Sequence, residues 1–250
     1  MVTELEFEDS RQGFADLLLA LQRLDRLLAG AIARAEAIYG PDAARDPYRG
    51  LHLTLEEMQQ LLGRSPGEPL LYGGEAEAIP LAVGERSPLA WLQQTYGLSA
   101  FEMDVTLLAL APEIDLRYER LYAYLQDNVS RKRPTVDLAL NLLCPSVEAK
   151  LRGQAHFASD APLIRHQLLQ VFPEPNQVQA PLLAHSFKLD EQIVRLLLQR
   201  ERLDSRLKGF CQRIEPVGYG GELPLPAQTG QALRRLIYQA RETGGPWDLY

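Results

Sequence analysis

The chain has 250 residues, 46% hydrophobic and 24% charged, which is the balance of an ordinary globular protein long enough for about two domains. A formal net charge of −7 argues against a broad nucleic-acid surface, since phosphate binding rests on clustered Lys and Arg, although a local basic patch remains open. No apolar run approaches the ~18 residues of a bilayer span, and the acidic start MVTELE is the reverse of a basic signal-peptide region, so a cytoplasmic protein without a membrane partner is expected.

Residues 9–39 predict one long helix. Phe14, Leu17, Leu21, Leu24, Leu28, Ala31, Ala35 and Ile38 alternate spacings of three and four, Leu18, Leu27 and Ile32 widen the stripe, and Gly40-Pro41 end it. Two arrangements fit: packing against helices of the same chain, which a widened stripe favours, or a coiled coil with another subunit. A second helix opens on a capping box, with Thr54 as N-cap, Glu57 reaching back and Leu53 stapled to Met58, and it stops at Gly63. Residues 65–86 read as a Gly- and Pro-rich connection carrying a short strand at 69–72.

A compact series of short helices follows. Ser87-Pro88 is an N-cap followed by Pro at the first helical position, with Gly97 closing the helix. Ser99 and Glu102 form another capping box, with Leu98 stapled to Met103, and open the apolar helix 101–111, which Pro112-Glu113 is expected to break. Residues 117–126 turn Leu121, Tyr122 and Leu125 inward, and the basic turn Arg131-Lys132-Arg133-Pro134 introduces a helix at 135–143 capped by Thr135. Further helices start at Ser146 and at Ser159 or Asp160, residues 181–189 alternate as a short strand or β-ribbon, and Asp190 caps a closing helix over 193–198. The expected core of this part is Phe101, Val105, Leu108, Leu121, Leu125, Leu138, Leu142 and Ile193. Cys144 and Cys211, far apart and outside any C-x-x-C or His cluster, read as free buried thiols.

Residues 215–226, with Gly218, Gly220, Gly221, Pro224 and Pro226, are the clearest linker, within a connection taken as 201–226. Residues 227–243 form one more amphipathic helix, stopped by Gly244-Gly245, and 246–250 read as the opening of a strand. Helix then strand is the approach to a phosphate-binding loop, yet no G-x-x-x-x-G-K-[ST] motif follows, and the nearest look-alike, LLYGGE at 70–75, lacks the Lys and hydroxyl and reads as a turn. The expected fold is therefore mainly α. A helical region at 1–86 precedes a winged-helix-like domain at 87–200 with a small β-ribbon, then a linker at 201–226 and, at 227–250, the truncated lead-in of a P-loop ATPase core.

The runs LLALAPEID (107–115), RYERLYAYLQD (117–127) and RKRPTVDLAL (131–140) resemble the region ahead of the ATPase module in bacterial AAA+ ATPases that accompany extracellular contractile injection systems, and FKLDEQIV (187–194) resembles the end of that family's winged-helix part. The resemblance covers about residues 87–200. It implies a hexameric ATPase engaged in particle assembly or cargo loading, with injection-particle or cargo proteins as partners. ATP and magnesium belong to the ATPase module of that parent; Walker A, Walker B and an arginine-finger segment are missing here, so neither cofactor nor catalysis is expected of this chain.

Two functions compete for the winged-helix part. DNA binding would use a recognition helix and a wing, but the helix 135–143 offers only Asp137 and Asn141 among apolar residues, leaving Arg131, Lys132 and Arg133 as phosphate contacts. Protein recruitment would use the Tyr- and Arg-rich helix, and the candidate partner surface is Arg117, Tyr118, Arg120 and Tyr124 with Arg131, Lys132 and Arg133; Tyr122 reads as core. The carboxylates Asp104, Glu113, Asp115 and Glu119 need no catalytic role, because caps and ion pairs account for them.

Overall fold

The computed structural model describes residues 2–39, 55–74, 84, 87–174 and 179–200, together with 206, 210, 211, 228–232 and 235. The chain divides into two compact units, Met1–Arg202 and Leu203–Tyr250. In the second, residues 228–232 and 235 are helical, Phe210 is exposed, and Cys211 is exposed rather than buried as its apolar character suggests. The expected strand at 246–250, most of the linker and the capping residues Thr54 and Leu53 lie outside the described residues.

The first unit opens on α1 (Val2–Tyr39) and α2 (Leu55–Leu62). The inner stripe of α1, Leu17, Ala20, Leu21, Leu24, Leu27, Leu28, Ala31 and Ala35, is buried in the same hydrophobic cluster as the rest of the unit, so this stretch packs within its own chain. Phe14, expected to begin the seam, is 43% exposed. A bidentate ion pair anchors the helix: Arg23 Nη1 and Nη2 donate to the two carboxylate oxygens of Asp104, both side chains being buried.

Next come α3 (Pro88–Tyr96), α4 (Ala100–Ile114), α5 (Arg117–Leu125), α6 (Val136–Leu143), α7 (Val147–Gly153), a 3-10 turn (Gln154–Phe157) and α8 (Pro162–Arg165). Strand β1 (Leu169–Phe172) pairs antiparallel with β2 (Ser186–Leu189), and α9 (Glu191–Leu197) closes the unit. The caps read from sequence are made: Ser87 Oγ accepts from Ala90 N, Ser99 and Glu102 form both arms of their box, Thr135 Oγ1 accepts from Leu138 N, Ser146 Oγ from Ala149 N and Asp190 Oδ1 from Gln192 N. Leu98 and Met103, the staple, are both buried. Helix α4 is buried from Glu102 to Ala111 and forms the centre of the unit, touching α1, α5, α6 and β2.

Several expectations are corrected. Pro112 does not break α4, which runs on to Ile114 and ends at Asp115. Proline removes one donor, and the Leu108 carbonyl that would have received it accepts instead from the Tyr122 hydroxyl at 2.9 Å. The helix expected from Ser159 or Asp160 is the single turn of α8, preceded by a 3-10 turn. The strand read at 181–189 is confined to Ser186–Leu189, and its partner β1 carries only two alternating apolar positions before Phe172, too few to mark it. Among the described residues no strand forms at 69–72; instead the Leu70 and Leu71 amides donate to the side-chain and main-chain oxygens of Asn141, at 3.3 Å each. Phe101 and Leu121 lie at the edge of the core rather than inside it.

Candidate protein-interaction site

The basic turn is built by local chemistry. Helix α5 ends with Gln126 as C-cap and Asp127 at φ 49, and the Asn128 and Asp127 amides return to the carbonyls of Ala123 and Tyr124, a Schellman pair. Asn128 Oδ1 then accepts from the Ser130 amide at 2.9 Å and its hydroxyl at 2.7 Å, folding the chain into an Asx turn. Gln126 holds the other side. Its Nε2 lies 3.1 Å from Tyr122 O and 3.0 Å from both Arg131 O and Arg133 O, while its Oε1 accepts from the Thr135 amide at 3.1 Å. The turn is tied to the sheet through Phe187 N to Pro134 O, Val136 N to His185 O and an antiparallel bridge between Thr135 and Ser186.

This places Arg131, Lys132 and Arg133 in a row facing carboxylates from three other segments. Arg131 Nε donates to Glu174 Oε1 at 3.0 Å, Lys132 Nζ lies 3.5 Å from Glu119 Oε2, and Arg133 Nη1 lies 3.6 Å from Glu113 Oε1. An open cleft of about 430 Å³ runs between them, lined by the three cations, Glu119, Glu174 and the serines Ser130 and Ser186. The sequence marks Glu119 only as a carboxylate that ion pairing accounts for and singles out neither Gln126 nor Glu174; the fold brings all three to the basic turn.

The Tyr-rich helix divides into two faces. Tyr118 is 1% exposed, so its expected place on the surface is corrected: its hydroxyl donates to Asp25 Oδ1 at 2.8 Å, fastening α5 to α1. The spacing Tyr118, Tyr122, Leu125 is the signal that identifies this inner face. Burial raises the Tyr118 phenol above its ordinary value, Arg117 opposes that shift and Asp25 reinforces it. Arg117 pairs with Asp25 at 2.6 Å and Asp115 at 3.2 Å, its guanidinium 5.0 Å from the centre of the Tyr118 ring. Arg120 is exposed without a recorded partner among the described residues, and Tyr124 is 37% exposed; these two are the open members of the candidate surface.

The positions a DNA reader would use are occupied otherwise. Helix α6 is buried at Val136 and from Leu138 to Leu143, and Asp137 and Asn141 are engaged by the Lys150 ammonium at 2.9 and 2.8 Å. The helix immediately before the hairpin, α8, is four residues long with Leu163 buried. The segment joining β1 to β2, residues 173–185, contains no Lys or Arg. Among the described residues no group of His, Cys, Asp and Glu is arranged to hold a metal ion, and no helix is long and apolar enough to cross a membrane.

The model of the family described as "Winged helix domain, variant" matches residues 77–211, more than half of the chain. The match spans the helical series, the β1–β2 hairpin and α9. No curated protein and no solved structure matches the chain.

Proposed function

The chain belongs to the variant winged helix domain family, and on that premise we propose that its domain recruits proteins rather than reading DNA. The observation that carries this reading is the neutralised basic triplet. Arg131, Lys132 and Arg133 are each met by a carboxylate of the same chain, so the row of charge that phosphate binding needs is cancelled where a wing-side contact would form. The hairpin connection adds no cation, and α6 faces the core. Arg120 and Tyr124, beside the cleft-forming turn in sequence, are residue types that dominate protein interfaces.

The resemblance of residues 107–140 and 187–194 to the front part of AAA+ ATPases of contractile injection systems supplies the setting. In this reading the domain is non-catalytic and cytoplasmic. It holds injection-particle or cargo proteins for a hexameric ring, and ATP and magnesium are bound by the ring's own P-loop module. Binding of the purified chain to purified particle and cargo subunits tests the reading. A saturable complex weakened by Arg120→Ala and Tyr124→Ala is expected; absence of any complex, or sustained phosphate release by the chain from ATP and magnesium, would overturn it.

A further inference from the structure

We infer that the cleft beside the basic turn is a receptor for a single carboxylate side chain of the protein partner, and that Glu174 fills this place in the free chain. The inference rests on the recruitment reading and names the partner chemistry.

The geometry begins with Arg131. Its main chain is fixed on both sides, the amide donating to Asn128 O at 3.0 Å and the carbonyl accepting from Gln126 Nε2 at 3.0 Å, so the guanidinium reaches the cleft from a rigid base. Glu174 uses little of what that guanidinium offers. Among the described residues its contact is one bond, Nε to Oε1, whereas an arginine fork presents five N–H donors arranged for two parallel bonds to a carboxylate. An incoming carboxylate that engages the fork through two bonds is held more firmly than the single bond it replaces. Lys132 and Arg133, 3.5 and 3.6 Å from their carboxylates, are at ion-pair rather than hydrogen-bond distance, so reorienting toward an added anion breaks no short bond.

The same cleft discriminates among anions. Glu119 and Glu174 line it and Glu113 flanks it through Arg133, so a phosphodiester chain with a charge at every step would meet fixed negative charge alongside each cation. One carboxylate exchanging with Glu174 leaves the local charge balance unchanged. A cleft of about 430 Å³ accommodates such a side chain together with its neighbours, and Ser186, buried at the base of β2, gives it a polar wall.

The test uses a fluorescein-labelled, end-blocked five-residue peptide whose central residue is glutamate and whose others are glycine and serine, with its central-glutamine counterpart and a 12-base-pair duplex as comparisons, titrated with the full chain at low and physiological salt. The single-glutamate peptide should bind saturably and its glutamine counterpart should not. Arg131→Gln should weaken that binding about tenfold or more, as loss of a charge-assisted contact does. Glu174→Ala should tighten it about two- to fivefold, because removing a surface competitor releases a contact of modest worth. Circular dichroism of both variants reports whether the fold is intact, and Glu174→Gln, which keeps the volume and loses the charge, should tighten binding in the same direction. Unchanged or weaker binding by both Glu174 variants, or indifference to Arg131→Gln in a folded protein, overturns the inference. If particle proteins bind but the single-glutamate peptide does not, the inference falls and recruitment stands; if the duplex displaces that peptide at physiological salt through Arg131, both fall.

Discussion

The Tyr122 hydroxyl lies 2.9 Å from the carbonyl oxygen of Leu108 and gives it the hydrogen bond that Pro112, four residues further along α4, has no amide to make. Both residues are fully buried, so without that hydroxyl the carbonyl would be an unsatisfied acceptor in the core. Tyr122→Phe should therefore destabilise the unit by about 1–3 kcal/mol. In a Pro112→Ala background the restored amide takes over the carbonyl, and the cost of Tyr122→Phe should fall by at least about 0.5 kcal/mol. Urea unfolding of the four proteins measures the coupling; strictly additive effects would show that the hydroxyl and the proline are independent.

Alkaline pH addresses the same side chain. Burial pushes the Tyr122 phenol well above its ordinary value of 10.0, with the neighbouring Tyr118 and Asp25 charges acting in the same direction. Above the ordinary value the unfolded chain releases this proton while the folded chain keeps it, so stability is full below about pH 10 and declines as pH rises further. Tyr122→Phe should make that decline shallower by about 1.4 kcal/mol per pH unit, the value of one proton. Tyr118, also raised by burial, keeps some slope in the variant. Identical slopes for the two proteins between about pH 10 and 11.5 would place the phenol in water.

The anchor of α1 is open to direct measurement. With Arg23 and Asp104 buried and joined through two hydrogen bonds, removing one partner takes a buried counter-charge from the other, and Asp104→Asn or Arg23→Met should each cost about 3–5 kcal/mol. Replacing both by apolar residues should cost much less than the sum. An effect below about 0.5 kcal/mol for Asp104→Asn in thermal or urea unfolding would mean that the ion pair does not anchor α1.

What the sequence made legible follows from the range of the interactions concerned. Ser87, Ser99, Thr135, Ser146 and Asp190 announce helix starts because each cap is closed within three residues of the capping side chain. The mainly apolar helix 101–111 announces a central position because only Glu102, Asp104 and Thr106 interrupt its apolar residues. Contacts between distant segments were not legible. Tyr118 looks like a surface aromatic until Asp25, 93 residues away, is placed against its hydroxyl, and the basic triplet looks like a free cationic patch until Glu113, Glu119 and Glu174 arrive from α4, α5 and the end of β1. Pro112 was read as a break for the same reason, since its compensation comes from another helix. Strand β1 is four residues long, and it exists because Leu169 and Val171 face Leu189 and Phe187 across the ladder.

The central claim, a winged helix domain that meets protein rather than DNA, is tested most directly by fluorescence anisotropy of the purified chain against a random pool and defined sets of short duplexes across a salt series. The expected result is weak binding without sequence preference that disappears as salt approaches physiological strength, and that changes little in Arg131→Ala or Arg133→Ala because both cations are already paired. Sequence-specific binding that persists at physiological salt and is lost in either variant would contradict it.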